Sequence, residues 1–467
     1  MGGIYSKGML GLLALLQLTW HGQAVPLNSY QNLPAGISQH LPLNITRRAA
    51  PTLNQSLPQQ VIPLNISDDA SIRRAAATAA YSLQSMYNGN STGGVLGKFP
   101  YPPFYWWLSG ASWDGMLHYW LYTGDESYYN VTWEALVAQI SETNNYLPVA
   151  EKFDEGNDDI AFWAFGAMFA VEHSFRPPPH PYPSWLQICD NVFNDFVTRW
   201  RAASDTCGGG LRWQVFPSSA GWDYKNSISN GGFFQLAARL ARYTGNATYF
   251  AWAEKVWDWT ERVGLIDEDF NVYDGAGIDG GKNCTSLDHT RWSYNVAIYL
   301  YGAAVMHNLT VPAPAAGTGG GENGSIWTKR TDGLIAAAER SFYSPYTNST
   351  GVMYEQACEP GWKCNVDQFS FKAYLARWLA DTTLMAPHTR ATVANLLETS
   401  AAAAVRACTS TNAGAARVKC GAHWYLGHWD GTTGVGQALS VMEVVQSLLV
   451  NGTRPPAFNW TSLGGPG

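Results

Sequence analysis

Helical periodicity is the feature that most restricts the fold of this chain of 467 residues. From Asp68 onward, apolar residues recur every three to four positions, a spacing typical of helices with one buried face. Strand-like alternation is confined to short pieces at residues 211–216 and 271–273. The periodicity predicts twelve helices, near residues 70–88, 111–123, 126–143, 158–174, 184–202, 229–244, 247–263, 291–308, 327–343, 368–384, 388–407 and 434–450.

A repeated turn indicates how these helices are paired. Residues 122–129 and 243–250 share the pattern Tyr-Thr-Gly-x-x-x-Tyr-Tyr/Phe, in which Gly124 and Gly245 can each end a helix in the left-handed conformation. Six such hairpins predict an all-α (α/α)6 barrel with inner and outer helices in a single domain. An open helical solenoid is the alternative. A closed ring would collect the loops of one end around a single cleft.

The N-terminus has the pattern of a secretory signal peptide. Lys7 precedes an apolar run at residues 9–18, and the small residues Gly22 and Ala24 favour cleavage after Ala24. The predicted organisation is a signal peptide (1–24), a glycosylated arm (25–67), a helical domain (68–452) and a C-terminal tail (453–467). The apolar run is too short to span a membrane, and no other segment of the sequence is long enough.

Composition agrees with export. Charged residues make up 14% of the chain and the formal net charge is −7, which argues against nucleic acid or an anionic membrane as a partner and favours a neutral polysaccharide. N-linked glycans would keep such a charge-poor surface soluble. Asn-X-Ser/Thr sequons begin at Asn44, Asn54, Asn65, Asn90, Asn130, Asn246, Asn283, Asn308, Asn323, Asn348, Asn451 and Asn459.

Seven cysteines in an exported chain predict disulfides and leave at least one thiol unpaired. Spacing alone does not fix the connectivity, so other pairings stay open at this point. The pairing that we predict is Cys207–Cys284, Cys358–Cys364 and Cys408–Cys420, with Cys189 free.

The strongest chemical signal is the segment Gly156-Asn157-Asp158-Asp159, which precedes an apolar helical run. Asn157 can cap that helix, so both aspartates would lie in its first turn. Acidic residues are common at helix starts for capping alone, so both interpretations fit the local pattern. Two adjacent carboxyl groups also push their pKa values apart, and neighbours suit the separation of about 5–5.5 Å found in retaining glycosidases.

Further polar and aromatic clusters precede other predicted helices. Their amide, hydroxyl and charged groups can hydrogen bond to sugar hydroxyls, and their rings can stack on sugars, although turns and helix caps use the same residues. If the loops share one rim, the substrate-binding residues are Trp107, Trp222, Asp223, Tyr224, Lys225, Asn226, Tyr294, Asn295, Asp367 and Gln368.

Other chemistries lack their motifs in the sequence. HExxH, paired CxxC, GxSxG, Walker and dinucleotide patterns are absent. His423 and His428 are close together but lie among aromatic residues, which favours packing over metal ligation. No metal and no cofactor are therefore expected.

The motifs GNDDIAFW, LRWQVF, GWDYKNSISNG, DHTRWSYN and DQFSFKAYLARW resemble glycoside hydrolase family 76, and most closely its fungal cell-wall branch. The resemblance covers roughly residues 70–450. It implies an (α/α)6 glycosidase domain and a retaining mechanism, with Asp158 as the nucleophile and Asp159 as the general acid/base. Bacterial members of the family are endo-α-1,6-mannanases.

The fungal branch implies a more specific reaction, in which the mannose–glucosamine core of a GPI anchor is cut and the mannoprotein is transferred to wall β-glucan. The expectation is a monomer at the cell surface or wall, with GPI-core glycan or α-mannan as donor and β-glucan as acceptor. A hydrolytic endo-α-1,6-mannanase and a non-catalytic glycan-binding wall protein are the alternatives. The intact aspartate pair argues against the second of these.

Two positions depart from the family pattern. Residues 294–297 read Tyr-Asn-Val-Ala where bacterial members often have Tyr-Asn-Gln-Gly, so a bacterial-style substrate pose is not expected. Fungal members commonly end in a hydrophobic GPI-attachment tail, which residues 463–467 do not form.

Overall fold

The computed structural model describes residues 61–151, 155–311, 322–410 and 417–458, and all twelve predicted helices lie within them. The signal peptide, nearly all of the N-terminal arm and the last residues of the tail fall outside the described residues. The helices are α1 (Asp69–Gln84), α2 (Trp106–Thr123), α3 (Tyr129–Ala138), α4 (Asn157–Glu172), α5 (Trp185–Ala202), α6 (Ser227–Thr244), α7 (Ala247–Val263), α8 (Ser293–Thr310), α9 (Glu322–Phe342), α10 (Phe371–Met385), α11 (Arg390–Arg406) and α12 (Val435–Gln446).

The even-numbered helices form a closed inner ring. Each packs on the next, from α2 through α4, α6, α8 and α10 to α12, and α12 packs on α2. The odd-numbered helices pack outside this ring, with α1 on α12, α3 on α2, α5 on α4, α7 on α6, α9 on α8 and α11 on α12. This is the (α/α)6 barrel. Contact between the first and last inner helices excludes the open solenoid.

The residue pattern of each helix explains its layer. Inner helix α8 is buried on all sides from Asn295 to His307. Outer helix α5 instead buries a single stripe that includes Ile188, Val192, Phe196 and Trp200, spaced four residues apart. A helix that is apolar all round needs neighbours on every side, whereas a striped helix needs them on one.

Buried ion pairs connect the inner helices at the barrel centre. The Arg377 guanidinium of α10 donates hydrogen bonds to the Asp114 carboxylate of α2 (2.6 Å) and the Glu443 carboxylate of α12 (3.0 Å). Arg239 of α6 pairs with Glu172 of α4 at 2.7 Å. Gly115 makes room for the first of these clusters, because a Cβ there would lie 2.4 Å from Glu443 Oε1.

Several helix boundaries differ from the sequence prediction, those of α2 and α3 among them. Helix α2 begins at Trp106, five residues earlier than predicted, because Gly110 does not interrupt it. Gly110 lies against the indole of Trp163, where a Cβ would come within 2.6 Å of the ring. Close helix packing therefore requires this glycine and outweighs its poor helix propensity. Helix α3 is shorter than predicted and ends at Ala138.

The described residues contain two small antiparallel sheets that the sequence did not predict. The two predicted strand-like pieces form only isolated bridges. Gln214 of the first pairs with Gly156, and Val272 of the second pairs with Ile266. The sheets consist of short loop segments rather than alternating apolar runs, so periodicity does not reveal them. The first has the order β1 (Tyr224–Asn226), β2 (Gly275–Gly277), β3 (Ser286–Asp288), and the second pairs β4 (Cys408–Ser410) with β5 (Val418–Cys420).

The cysteines follow the predicted pairing. The disulfides are Cys207–Cys284, Cys358–Cys364 and Cys408–Cys420, and Cys189 is a buried free thiol. None of the described helices has the length and apolar character needed to cross a membrane. Eight sequon asparagines are described and exposed, at Asn65, Asn90, Asn130, Asn246, Asn283, Asn308, Asn348 and Asn451. The side chains of Asn44, Asn54, Asn323 and Asn459 lie outside the described residues.

We expect Arg377→Met to lower the free energy of unfolding by about 3–5 kcal/mol, because it leaves Asp114 and Glu443 buried without their counter-charge. Denaturant titration would measure the loss. Arg74→Ala is the matched control, since the ion pair of Arg74 with Asp68 is largely exposed and should contribute at most about 1 kcal/mol. Equal losses in the two variants would contradict a central role for Arg377.

Candidate active site

A cleft of about 970 Å³ lies at one end of the barrel. Its walls come from the loops that enter inner helices α2, α4, α6, α8 and α10 and from the first residues of those helices. Five of the six loops that enter inner helices thus converge on one cleft, in agreement with the prediction that a closed ring collects its loops around a single cleft. The predicted site residues that line the cleft are Trp107, Asp158, Asp159, Tyr224, Asn226, Tyr294, Asp367 and Gln368.

The two aspartates differ in their hydrogen-bond partners. Asp158 accepts hydrogen bonds from the Ser229 hydroxyl (3.0 Å) and the Trp213 indole N–H (3.1 Å). Asp159 instead reaches back to accept from the backbone N–H of Gly156 at 2.7 Å. Gly156, rather than Asn157, occupies the N-cap position of α4. The prediction that Asn157 caps the helix is therefore wrong.

Asn157 serves another purpose. Its amide donates to the backbone carbonyl of Arg212 (2.9 Å), and its side-chain oxygen accepts from the Arg199 guanidinium (2.9 Å). It lies at the first position of α4 and is almost fully buried. Asn157 thus fixes the start of α4 against the loop at residue 212 and against α5.

Burial raises the pKa values of both aspartates, and their different partners separate the two values. Desolvation raises the pKa of Asp158 to about 7, while the hydrogen bonds from Ser229 and Trp213 limit the rise. Desolvation, together with the negative charge of Asp158, raises the pKa of Asp159 well above its ordinary value. Asp158 is therefore the carboxyl that ionises first, and Asp159 holds its proton longer.

Other side chains of the cleft wall contact one another. The Trp107 indole donates to Asp367 at 3.1 Å, and burial raises the pKa of Asp367 to about 6. Tyr224 donates to Asp274 at 2.7 Å. The Tyr294 ring stacks on Phe371, with centroids 3.8 Å apart. Hydrogen bonds and stacking thus hold these side chains in fixed positions within the cleft wall.

Strand β1 explains why only some of its residues reach the cleft. Side chains alternate between the two faces of a strand, so Tyr224 and Asn226 line the cleft while Lys225 points away. The buried Lys225 ammonium donates to three backbone carbonyls, at Ala203, Thr206 and Gly209. The prediction that Lys225 faces the cleft is therefore wrong, and Lys225 is a structural residue. Asn226 lines the cleft and also caps α6.

Three other predicted binding residues lie outside the cleft lining. The Trp222 ring is covered by the Arg212 guanidinium, 4.5 Å from its centroid, and the exposed Asp223 pairs with the same guanidinium. Asn295 is completely buried in α8, where its side chain lies beside Asp274 of the cleft wall. For Trp222 and Asp223, the expected position in the cleft is wrong, whereas Asn295 lies directly behind the cleft lining.

The structure adds cleft residues that the sequence did not single out. Trp213 and Ser229 hold Asp158 from positions 55 and 71 residues away along the chain. Asp274 and Glu155 contribute further carboxyl groups. No group of three or more His, Cys, Asp or Glu side chains within the described ranges has an arrangement that could hold a metal ion.

Comparison with known proteins places this architecture in a family. The model described as glycosyl hydrolase family 76 matches residues 71–459. The chain is similar to the mannan endo-1,6-alpha-mannosidase DCW1 of Saccharomyces cerevisiae, at 40% identity over 82% of this chain and 80% of the relative. It is 39% identical to the mannan endo-1,6-alpha-mannosidase DFG5 of Candida albicans, over 85% of this chain and 83% of that protein.

Solved structures show the same fold. The crystal structure of Dfg5 from Chaetomium thermophilum in complex with glucosamine matches with a TM-score of 0.77 and 39% identity, over 85% of this chain and 94% of that one. The α-1,6-mannanase from Salegentibacter sp. HEL1_6 matches at 18% identity with a TM-score of 0.62, over 82% of this chain and 99% of that chain. From the family match and the fungal relatives together, the chain belongs to glycosyl hydrolase family 76 and is a glycoside hydrolase.

Proposed function

We propose that this protein is a retaining glycosidase of the fungal cell surface or wall that cleaves α-mannosyl linkages and transfers the glycan to another sugar. The observation that carries the proposal is the pair of half-buried carboxyl groups at the start of α4, which face the cleft with different partners. The DCW1 and DFG5 proteins similar to this chain are mannan endo-1,6-alpha-mannosidases. Their names support an α-mannoside as the donor.

The difference between the carboxyl groups assigns their roles. Two donors favour the charged form of Asp158, so it is the group suited to attack the anomeric carbon. Asp159 remains protonated beside that charge and can donate its proton to the departing oxygen. The glycosyl–enzyme then reacts with water or with a sugar hydroxyl, and Asp159 takes the proton of the incoming group.

The charge of the cleft favours a donor that contains an amino sugar. Six carboxyl groups line it, and among the described lining residues Lys98 is the only Lys or Arg. Lys98 is already paired with Glu151. Asp159 and Glu155 hold their protons, but Asp158 and Asp367 can ionise near neutral pH and would attract an ammonium group into the cleft. The mannose–glucosamine core of a GPI anchor has this character, and the similar Dfg5 structure contains glucosamine.

The mouth of the cleft favours transfer over hydrolysis. Tyr101 and Tyr105 line it and are 63% and 50% exposed, so their rings are available to stack on a second sugar chain. An acceptor held there would compete with water for the glycosyl–enzyme. We therefore propose β-glucan as the acceptor. The hydrolytic endo-α-1,6-mannanase is the second candidate, because the same carboxyl groups serve both reactions.

Product analysis with a synthetic mannose–glucosamine core glycan tests the proposal. With a β-glucan oligosaccharide present, we expect a transfer product, and without it only slow hydrolysis. The same glycan with an N-acetylated glucosamine should show kcat/KM lower by about tenfold, because it lacks the ammonium. Hydrolysis that is unaffected by β-glucan would favour the mannanase. Absence of cleavage in every mixture would contradict the proposed activity.

Substitution of each aspartate tests the division of roles. Asp158→Asn should abolish turnover of all substrates, because the nucleophile is lost. Asp159→Asn should slow cleavage of a natural glycan by about 10²–10⁴-fold but slow an activated aryl mannoside far less, since a good leaving group needs little protonation. Steady-state kinetics on both substrates gives the comparison. Asp223→Asn, an exposed aspartate outside the cleft lining, is the matched control and should change neither rate.

A further inference from the structure

Glu155 is a buried carboxyl in the cleft to which the mechanism above gives no role. It immediately precedes the N-cap residue of α4, and its backbone carbonyl accepts from Val215 at 3.4 Å. Gly156 next to it forms a bridge with Gln214, which holds this segment against the loop before α6. The residue is 2% exposed, and neither of its carboxyl oxygens has a hydrogen-bond partner among the residues that the structure describes.

The charged groups that face Glu155 favour its neutral form. Asp159 and Glu151 are like charges, while Arg199 and Lys98 are the facing cations. Both cations are already engaged, because Arg199 binds Asn157 and Asp195 and Lys98 pairs with Glu151. An ionised carboxylate would be buried here without a donor from any described residue, at a cost of several kcal/mol. In agreement, burial and then the charge of Asp159 raise the pKa of Glu155 to about 10.

A neutral carboxyl carries one O–H donor and retains acceptor capacity, and no group in the described part of the chain satisfies either. Buried polar groups of this kind normally have partners, and an unsatisfied one costs about 1–3 kcal/mol. A sugar hydroxyl can accept the carboxyl proton and donate its own hydrogen in return. The lining position of Glu155 places it where a donor glycan would bind beside Asp159.

We propose that Glu155 is a substrate-contact residue that hydrogen bonds, as a neutral carboxylic acid, to a hydroxyl of the donor sugar in the same cleft as the aspartate pair. The inference rests on the proposed α-mannosidase function, because it assumes a glycan in this cleft. It goes beyond that function in naming a third carboxyl that recognises the sugar without acting as acid, base or nucleophile.

Comparison of Glu155→Ala with Glu155→Gln tests the contact, with the synthetic mannose–glucosamine core glycan as the substrate. An amide keeps one donor side and one acceptor side, so Gln should replace a neutral carboxyl but not a charged one. We expect Glu155→Ala to lower kcat/KM by about tenfold or more, and Glu155→Gln to recover most of that loss. Glu126→Gln makes the same change at an exposed site and should match the wild type in kinetics and melting temperature.

The pH dependence of stability gives a readout that does not require turnover. Folding raises the pKa of a buried carboxyl such as that of Glu155. Between the unfolded-state and folded-state pKa values, the folded protein therefore binds more protons than the unfolded protein. The contribution of the carboxyl to the free energy of unfolding falls as the pH rises through this range. Glu155→Gln removes this effect. The free energy of unfolding of Glu155→Gln minus that of the wild type should therefore increase as the pH rises from about 5 to about 8.

Each result supports or overturns the inference. Equal activity loss in the Gln and Ala variants, with a stability difference that does not change with pH, would show a charged Glu155 and overturn it. Wild-type kinetics in Glu155→Ala would show that no sugar is bound there, and would also overturn it. A wild-type enzyme that does not cleave the core glycan, while Glu155 behaves as neutral in the stability assay, would contradict the proposed function and leave no sugar for Glu155 to contact.

Discussion

Arg377 pairs with Asp114 and Glu443 inside the barrel and thereby connects α10 to α2 and α12. These helices are far apart in sequence and come together only when the ring closes. A guanidinium buried without both partners would cost several kcal/mol, so a partly closed ring is strongly disfavoured. Closure in turn brings the loops that enter the inner helices to one end. The cleft depends on this arrangement, because no single hairpin carries all of its walls.

Charge is distributed unequally between the barrel centre and the cleft. At the centre, Arg377 and Arg239 neutralise the carboxylates that they contact. In the cleft, carboxyl groups are in excess, and the Ser229 hydroxyl and the Trp213 indole both donate to Asp158. Burial and mutual repulsion then raise the pKa values of its neighbours. An ionised Asp158 beside a protonated Asp159 is the division of roles that a double displacement at an anomeric carbon requires.

The sequence predicts the helices well, because each long apolar run has one interpretation at the period of 3.6 residues. Their order then leads to the barrel, and the acidic start of α4 marks the aspartate pair. The partners of that pair, in contrast, are not predictable from the sequence. Trp213 and Ser229 contact Asp158 across 55 and 71 residues of chain, and no local pattern encodes contacts that exist only after ring closure.

The errors in the binding residues have a local physical cause. Residues 222–226 look uniformly suited to sugar contact, but β1 alternates its side chains between two faces. Tyr224 and Asn226 therefore reach the cleft, while Lys225 turns to three backbone carbonyls. A strand this short carries no alternating apolar pattern. The environment of Glu155 is likewise not predictable from its local sequence, because its isolation from donors depends on Arg199 and Lys98 being engaged elsewhere.

The anomeric configuration of the first-formed product tests the central claim most directly. The claim is that Asp158 forms a covalent bond to the anomeric carbon, which Asp159 then helps to break. Two successive displacements restore the original configuration. Proton NMR of an α-1,6-mannooligosaccharide, recorded before mutarotation, should therefore show the α-anomer first. A β-anomer as the first product would mean direct attack by water, and it would contradict both the nucleophile and the transfer reaction.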